Sequence, residues 1–301
     1  MLKRFRIVFT LLLVFGLSAA LMGDESEITQ YFPGALGSYW VYVDQDGNEL
    51  TRRVVESEEI AEETYHVFDY EPALENSIDY DYHIHPDLYR VGEEGIAFLI
   101  GKEAKKALQA RFVKEMGTLL KMLKEIAPPG AEAGFNLLYE IEVEAQEQFY
   151  MLSTFTTFNE KWDAMRMKAK LTITPDPPQG DPDEAILEFT IVEKGEILGT
   201  ESVETSAGTF EDCLKVEYRT YTGMAVFPEE AEDEDADPPG ESITTLWIAP
   251  NVGIVKFHQK AEDILLKTVP IPEIVASRTV KTLELKKYEI APIDSEGNGS
   301  D

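Results

Sequence analysis

The stretch Glu196-Ile197-Leu198-Gly199-Thr200-Glu201-Ser202-Val203-Glu204-Thr205, the turn Ser206-Ala207-Gly208, and the returning run Cys213-Leu214-Lys215-Val216-Glu217-Tyr218-Arg219-Thr220-Tyr221 decide the fold. Two β-rich runs joined by so short a connection pair antiparallel, because a parallel crossover needs a dozen or more residues. The pattern continues on both sides. Trp162 to Thr174 and Ala185 to Glu193 precede it, separated by the proline-rich loop Pro175 to Asp183, and Glu193-Lys194-Gly195 reads as a second turn. Ile243 to Ile248, Gly253 to Gln259 and Thr279 to Tyr288 follow as strands.

The first half has the same character. Tyr39 to Val43, the turn Asp44-Gln45-Asp46-Gly47-Asn48 and Glu49 to Val55 form a hairpin. Thr64 to Tyr70, Leu88 to Val91 and Ile96 to Ile100 read as further strands. Asp79 to His85 alternates, with Tyr80, Tyr82 and Ile84 on one face and Asp79, Asp81, His83 and His85 on the other, which predicts a half-buried strand. From Lys102 to Ile126 the period changes. Leu108, Phe112, Val113, Met116, Leu119, Leu120, Leu123 and Ile126 form one stripe, so this segment is an amphipathic helix, ended by Pro128-Pro129-Gly130. Leu138 to Ala145 alternates as a strand, although its Glu and Ala content suits a helix. The expected fold is mainly β, of the α+β class: a curved antiparallel sheet or open half-barrel meander with one amphipathic helix packed on it.

The chain begins with Lys3, Arg4 and Arg6, an apolar stretch from Ile7 to Met22, and small residues at Ser18, Ala20 and Gly23. This is the pattern of a secretory signal peptide, shorter than a membrane span. Residues 24–290 then form a single exported β-domain, with the helix 102–126 as an insertion, an acidic loop at 227–241 and a disordered tail at 291–301. No cysteine stands at the cleavage site, so the expected protein is periplasmic or extracellular and not a lipoprotein. It would meet the membrane only through the signal peptide, if that is uncleaved. Cys213 is the single cysteine and allows no internal disulfide, so a structural thiol is expected.

In its 301 residues the chain carries 27 Lys+Arg against 57 Asp+Glu, a net charge of −30. Loss of the three basic residues of the leader leaves 24 against 57, or −33. Such a balance argues against nucleic acid, whose binders displace phosphate counterions with basic patches. The content of 44% hydrophobic and 10% aromatic residues is that of a protein with a core. The charge is also uneven: Glu229 to Asp237 is an acidic run, whereas the helix 102–126 holds seven Lys/Arg and three Glu.

Two groups have metal-ligand chemistry. Asp81, His83 and His85 would project from one face of a strand and could hold a zinc-type ion with one further ligand; the same row is also the wet face of an alternating strand. Asp233, Asp235 and Asp237 offer oxygens to a divalent cation, but Pro238 and Thr244 stand where an EF-hand loop has its glycine and glutamate. A weakly held divalent cation is thus the one cofactor in view. No nucleophile elbow, phosphate loop, dinucleotide fingerprint or H-E-x-x-H motif occurs, and no catalytic residue is assigned.

Three stretches together carry a resemblance. They are Tyr31-Phe32-Pro33 with Gly37, Trp40 and Tyr42; Gly199 to Val216, containing Ala207-Gly208-Thr209-Phe210-Glu211-Asp212-Cys213-Leu214-Lys215-Val216; and Trp247-Ile248-Ala249-Pro250-Asn251-Val252-Gly253-Ile254-Val255-Lys256. With these, residues 31–98 and 185–260 are similar to TapB-like and related domains of unknown function in bacterial exported proteins. Ser206 stands where that pattern has proline, and Asn251 where it has glycine. The resemblance implies an exported antiparallel β-domain and transfers no functional residue. A helix closing a curved sheet makes a cavity, so the leading expectation is noncatalytic binding of an apolar ligand or an envelope partner. The alternatives are a structural or surface-interaction protein with weak divalent-cation binding and, behind it, a carboxylate-based hydrolase.

Overall fold

The computed structural model describes residues 30–73, 82–127, 137–153, 157–176, 184–225, 242–268 and 276–292. The chain is mostly β. It forms one large open antiparallel sheet of thirteen strands, with one helix packed on it. The strands are β1 Tyr39–Asp44, β2 Glu49–Ile60, β3 Glu63–Glu71, β4 Leu88–Gly92, β5 Gly95–Leu99, β6 Leu137–Ala145, β7 Gln148–Ser153, β8 Lys161–Pro175, β9 Ala185–Thr205, β10 Gly208–Ala225, β11 Ser242–Ala249, β12 Gly253–Glu262 and β13 Arg278–Glu289. Helix α1 spans Gly101–Ile126, and the single turn α2 spans Leu265–Thr268.

The sheet order is β6-β8-β9-β10-β11-β12-β13-β1-β2-β3-β4-β5-β7. Strands from β8 to β13 and from β1 to β5 pair with their sequence neighbours, and β13 pairs with β1 to join the two runs. The edge strands β6 and β7 are consecutive in the chain, separated only by Gln146 and Glu147. The sheet must therefore curl until its ends approach each other. Side chains of the far half hold that curl: the Trp162 indole donates to the Tyr150 carbonyl at 2.9 Å, and the Tyr218 hydroxyl donates to that of Met151. Register shifts in β1, β2, β8, β10 and β11 add local twist.

Inward-facing residues follow the period of two. Trp40 and Tyr42 of β1, Phe189 and Ile191 of β9, and Val216 and Tyr218 of β10 are buried. Helix α1 begins where the Ile100 and Gly101 amides both donate to the Glu147 carbonyl at 3.0 Å. It ends at Ala127, which is extended, as a residue before proline tends to be. Its inward face is Ala104, Leu108, Phe112, Glu115 and Met116, and the Phe112 ring lies 5.1 Å from Phe189. Val113 and Ile126, at the margins of the apolar stripe, are exposed.

Three expectations change. Glu193-Lys194-Gly195 is no turn but the middle of β9, which pairs with β8 and β10 throughout. Gly195 is required by close approach: a Cβ there would overlap the Trp162 indole, which crosses the strand to meet Tyr218 at a ring distance of 6.0 Å. Gly195→Ala is therefore expected to cost about 1–3 kcal/mol, as overpacking does, read as a lowered urea midpoint. Second, Tyr82 to Ile84 form a turn rather than the end of a strand, while Asp79 to Asp81 lie outside the described residues. Third, Gln148–Ser153 is a strand that the sequence pattern did not show. The leader (1–23), the acidic loop (227–241) and all but the start of the tail (291–301) also lie outside the described residues.

Cys213 is buried, and its thiol donates to the Phe210 carbonyl at 3.4 Å. Burial first, then Glu211, pushes the thiol up to about 11, which leaves it a packing residue.

Candidate functional site

Strand β9 sends Phe189, Ile191, Glu193, Gly195 and Ile197 to the inner face. Glu193 is the one charged side chain of that row, and it is 1% exposed. The turn at 82–84 brings its partners. His83 Nε2 lies 2.6 Å from Glu193 Oε1, and the Tyr82 hydroxyl donates to Oε2 at 2.5 Å. Both carboxylate oxygens thus have a donor, as a carboxylate taken out of water requires. The His83 ring stacks on Tyr82 at 4.3 Å and meets Phe149 and Tyr218 at 5.1 and 5.3 Å. Its other nitrogen, Nδ1, is buried and has no protein hydrogen-bond partner.

Of this cluster, Tyr82 and His83 line a cavity of about 150 Å³ between α1 and the inner face of the sheet. Leu108, Arg111 and Glu115 belong to its helical wall, and Met167, Ile191 and Lys281 to its sheet wall. On the helical wall, Glu115 joins helix to loop. Its carboxylate pairs with Arg111 at 3.0 Å and accepts the Leu265 amide at 2.6 Å. Burial nevertheless pushes that carboxyl above the usual range, against the pull of Arg111.

The turn itself is held by Arg52 of β2, which is 1% exposed. Its guanidinium donates to the Ile84 carbonyl at 3.1 Å and to the Tyr42 hydroxyl at 3.0 Å. Phe68, Trp40, Tyr42 and Phe32 surround it at 4.5, 4.7, 5.4 and 5.5 Å from the ring centroids.

The sequence grouped Asp81, His83 and His85 on one strand face. In the structure His83 is bound to Glu193, whereas the His85 ring meets Tyr70 at 5.8 Å, and Asp81 lies outside the described residues. The shared face on which the zinc-type expectation rested is replaced by a turn. Asp233, Asp235 and Asp237 also lie outside the described residues, and among those that are described no three His, Cys, Asp or Glu are grouped as metal ligands.

His85 has a separate consequence. Burial, then the charges of Arg52 and Lys281, hold its imidazole down at about 3. Between the ordinary value near 6.5 and about 3, the unfolded chain takes up a proton that the folded chain refuses. Stability contributed by neutral His85 is therefore full above that window and is lost as pH falls through it, by up to ~1.4 kcal/mol per pH unit. His85→Phe should flatten the decline of the urea midpoint between pH 6 and pH 4 by about one proton; an unchanged slope would contradict the assignment.

Glu193 and Arg52 escaped the sequence reading. A charged residue in phase with Phe189, Ile191 and Ile197 was the available signal for Glu193, and the assumed turn at 193–195 concealed it.

Glu193 lies within the part of the chain that known proteins share. Residues 179–262 match the family described as DUF3108-like. The match covers β9 to β12, under a third of the chain, and includes the Gly199–Val216 and Trp247–Lys256 stretches but not Tyr31 to Tyr42. It does not bear out the TapB-like name. No curated protein matches. Two solved structures show similarity over 86% of this chain and 98% of their own. One is a "putative lipoprotein" from Parabacteroides distasonis, at 16% identity and a TM-score of 0.33. The other is a "putative exported protein with YmcC-like fold" from Bacteroides fragilis, at 14% identity and a TM-score of 0.37. The first stands against the expectation that this protein is not a lipoprotein, since a chain described as a putative lipoprotein is among its structural neighbours, and that exclusion is withdrawn.

Proposed function

We propose that this chain is a binding protein that holds a small molecule in the cavity between α1 and the inner face of the sheet. The observation that carries this is the cavity itself, where Leu108, Met167 and Ile191 lie beside the charged Arg111, Glu115 and Lys281 and a buried imidazole, His83, keeps one nitrogen without a protein partner. The volume of about 150 Å³ narrows the apolar-ligand expectation. Sites for drug-sized ligands run to about 300–1,000 Å³, so a long acyl chain does not fit, whereas a benzene-sized molecule does.

Ligand-observed NMR with a library of small fragments tests the proposal, with the Met167 and Leu108 methyl signals as reporters. Fragments of about six to ten heavy atoms should compete with one another and shift those methyls, and a fluorescent fatty acid should not bind. Failure of every fragment to perturb either methyl would reject the reading.

A further inference from the structure

Successive cross-strand rows on the inner face of β10 to β13 change their chemistry at the cavity. Val216, Leu246, Phe257 and Leu283 lie opposite one another and are buried. Residues two positions on share that face. They are Tyr218, Thr244, Gln259 and Lys281, again cross-strand neighbours, with the Gln259 amide donating to the Thr244 hydroxyl at 3.1 Å. The next row is Thr220, Ser242, Ala261 and Thr279. Gln259, Lys281 and all of that last row line the cavity. The sheet thus gives it a floor of hydroxyl, amide and ammonium groups, opposite Leu108 of the helix.

The charges of the lining favour an anion. Arg111 is matched by Glu115 at 3.0 Å, and Glu262 by Lys267 at 2.6 Å and by Arg278. The charges left over are Lys114 and Lys281 against Asp263, whose Oδ2 accepts from the Ser277 amide and hydroxyl, both at 2.7 Å. An ammonium carries several donors, so a contact with the protein leaves others for a ligand.

We infer that the cavity takes a small monocarboxylate, with its anion on the Lys281 ammonium at the hydroxyl-lined floor and its apolar body under Leu108. This rests on the binding reading above and adds the ligand's chemical class. Benzoate has the required form, benzamide keeps its shape without the charge, and benzylamine reverses the charge.

The test is titration of the full chain with these three probes, following the Leu108 and Met167 methyls and the side-chain ¹⁵N signal of Lys281. Benzoate should bind at least about tenfold more tightly than benzamide, because a charge-assisted hydrogen bond is roughly twice as strong as a neutral one. Benzylamine should bind more weakly than either, and benzoate alone should move the Lys281 signal. Lys281→Met keeps most of the stem and should bring benzoate down to the level of benzamide. If that variant does not fold, the Lys281 signal in the unaltered protein decides alone. Equal binding of benzoate and benzamide, or preference for benzylamine, would overturn the carboxylate inference and leave the small-molecule cavity standing. No movement of either methyl with any probe would overturn both.

Discussion

Replacing His83 with alanine is expected to destabilise the protein by about 3–5 kcal/mol, the usual cost of leaving a buried carboxylate without one of its partners. In a domain of this size that corresponds to a fall in melting midpoint of roughly 10 °C. The cost arises at Glu193. Its carboxylate is 1% exposed and would retain only Tyr82 as a donor. Removing the carboxylate instead, with Glu193→Leu, leaves the His83 Nε2 hydrogen without an acceptor and should also destabilise. The double change His83→Phe with Glu193→Leu removes both polar groups while keeping volume near Phe149 and Tyr218, and should cost less than either single change. Tyr82→Phe, which takes away one donor and leaves the pair intact, should cost about 1–2 kcal/mol. Chemical denaturation of the four variants checks this. Additive costs, with no coupling between positions 83 and 193, would show that the two do not act as a unit.

The second large effect is at Arg52. Its guanidinium is buried, makes no ion pair with any described carboxylate, and sits within 6 Å of four aromatic rings. Arg52→Ala removes the side chain from the centre of that cluster and frees the Ile84 carbonyl, at an expected cost of about 3–5 kcal/mol. Arg52→Met keeps most of the volume and the apolar contacts while removing a desolvated charge, so it should be much milder. Arg52→Lys keeps the charge but loses the planar fork that reaches Ile84 and Tyr42 together, and should fall closer to alanine than to methionine. Because Ile84 follows His83 in the same turn, the alanine variant should also shift the His83 ring resonances. A lysine variant as stable as the unaltered protein would show that charge, not geometry, matters at this position.

Most of the architecture could be read from residues. The period of two in Trp40 and Tyr42, in Val216 and Tyr218, and in Leu283 and Leu285 matches the buried faces of β1, β10 and β13. The change of period at Lys102 and the prolines at 128 and 129 bounded α1 to within a residue. The errors share a cause. Glu193-Lys194-Gly195 has turn composition, yet each residue answers a tertiary demand that local pattern does not express: Glu193 for a donor pair, Gly195 for the indole laid across it. In the same way Asp79 to His85 alternates in sequence, but its last residues turn because Arg52 and Glu193 take hold of Ile84 and His83.

The sequence by itself therefore determined an antiparallel β-protein with one covering helix, because alternation, helical period and short connections are local properties of the chain. The tertiary structure alone decided how far the sheet curls, that β6 and β7 become its two edges, and that His83 meets a glutamate 110 positions away. The physical reason is that a buried carboxylate and a buried guanidinium are tolerable only where distant groups satisfy them. Their partners are chosen by the closure of the sheet rather than by neighbours in the chain.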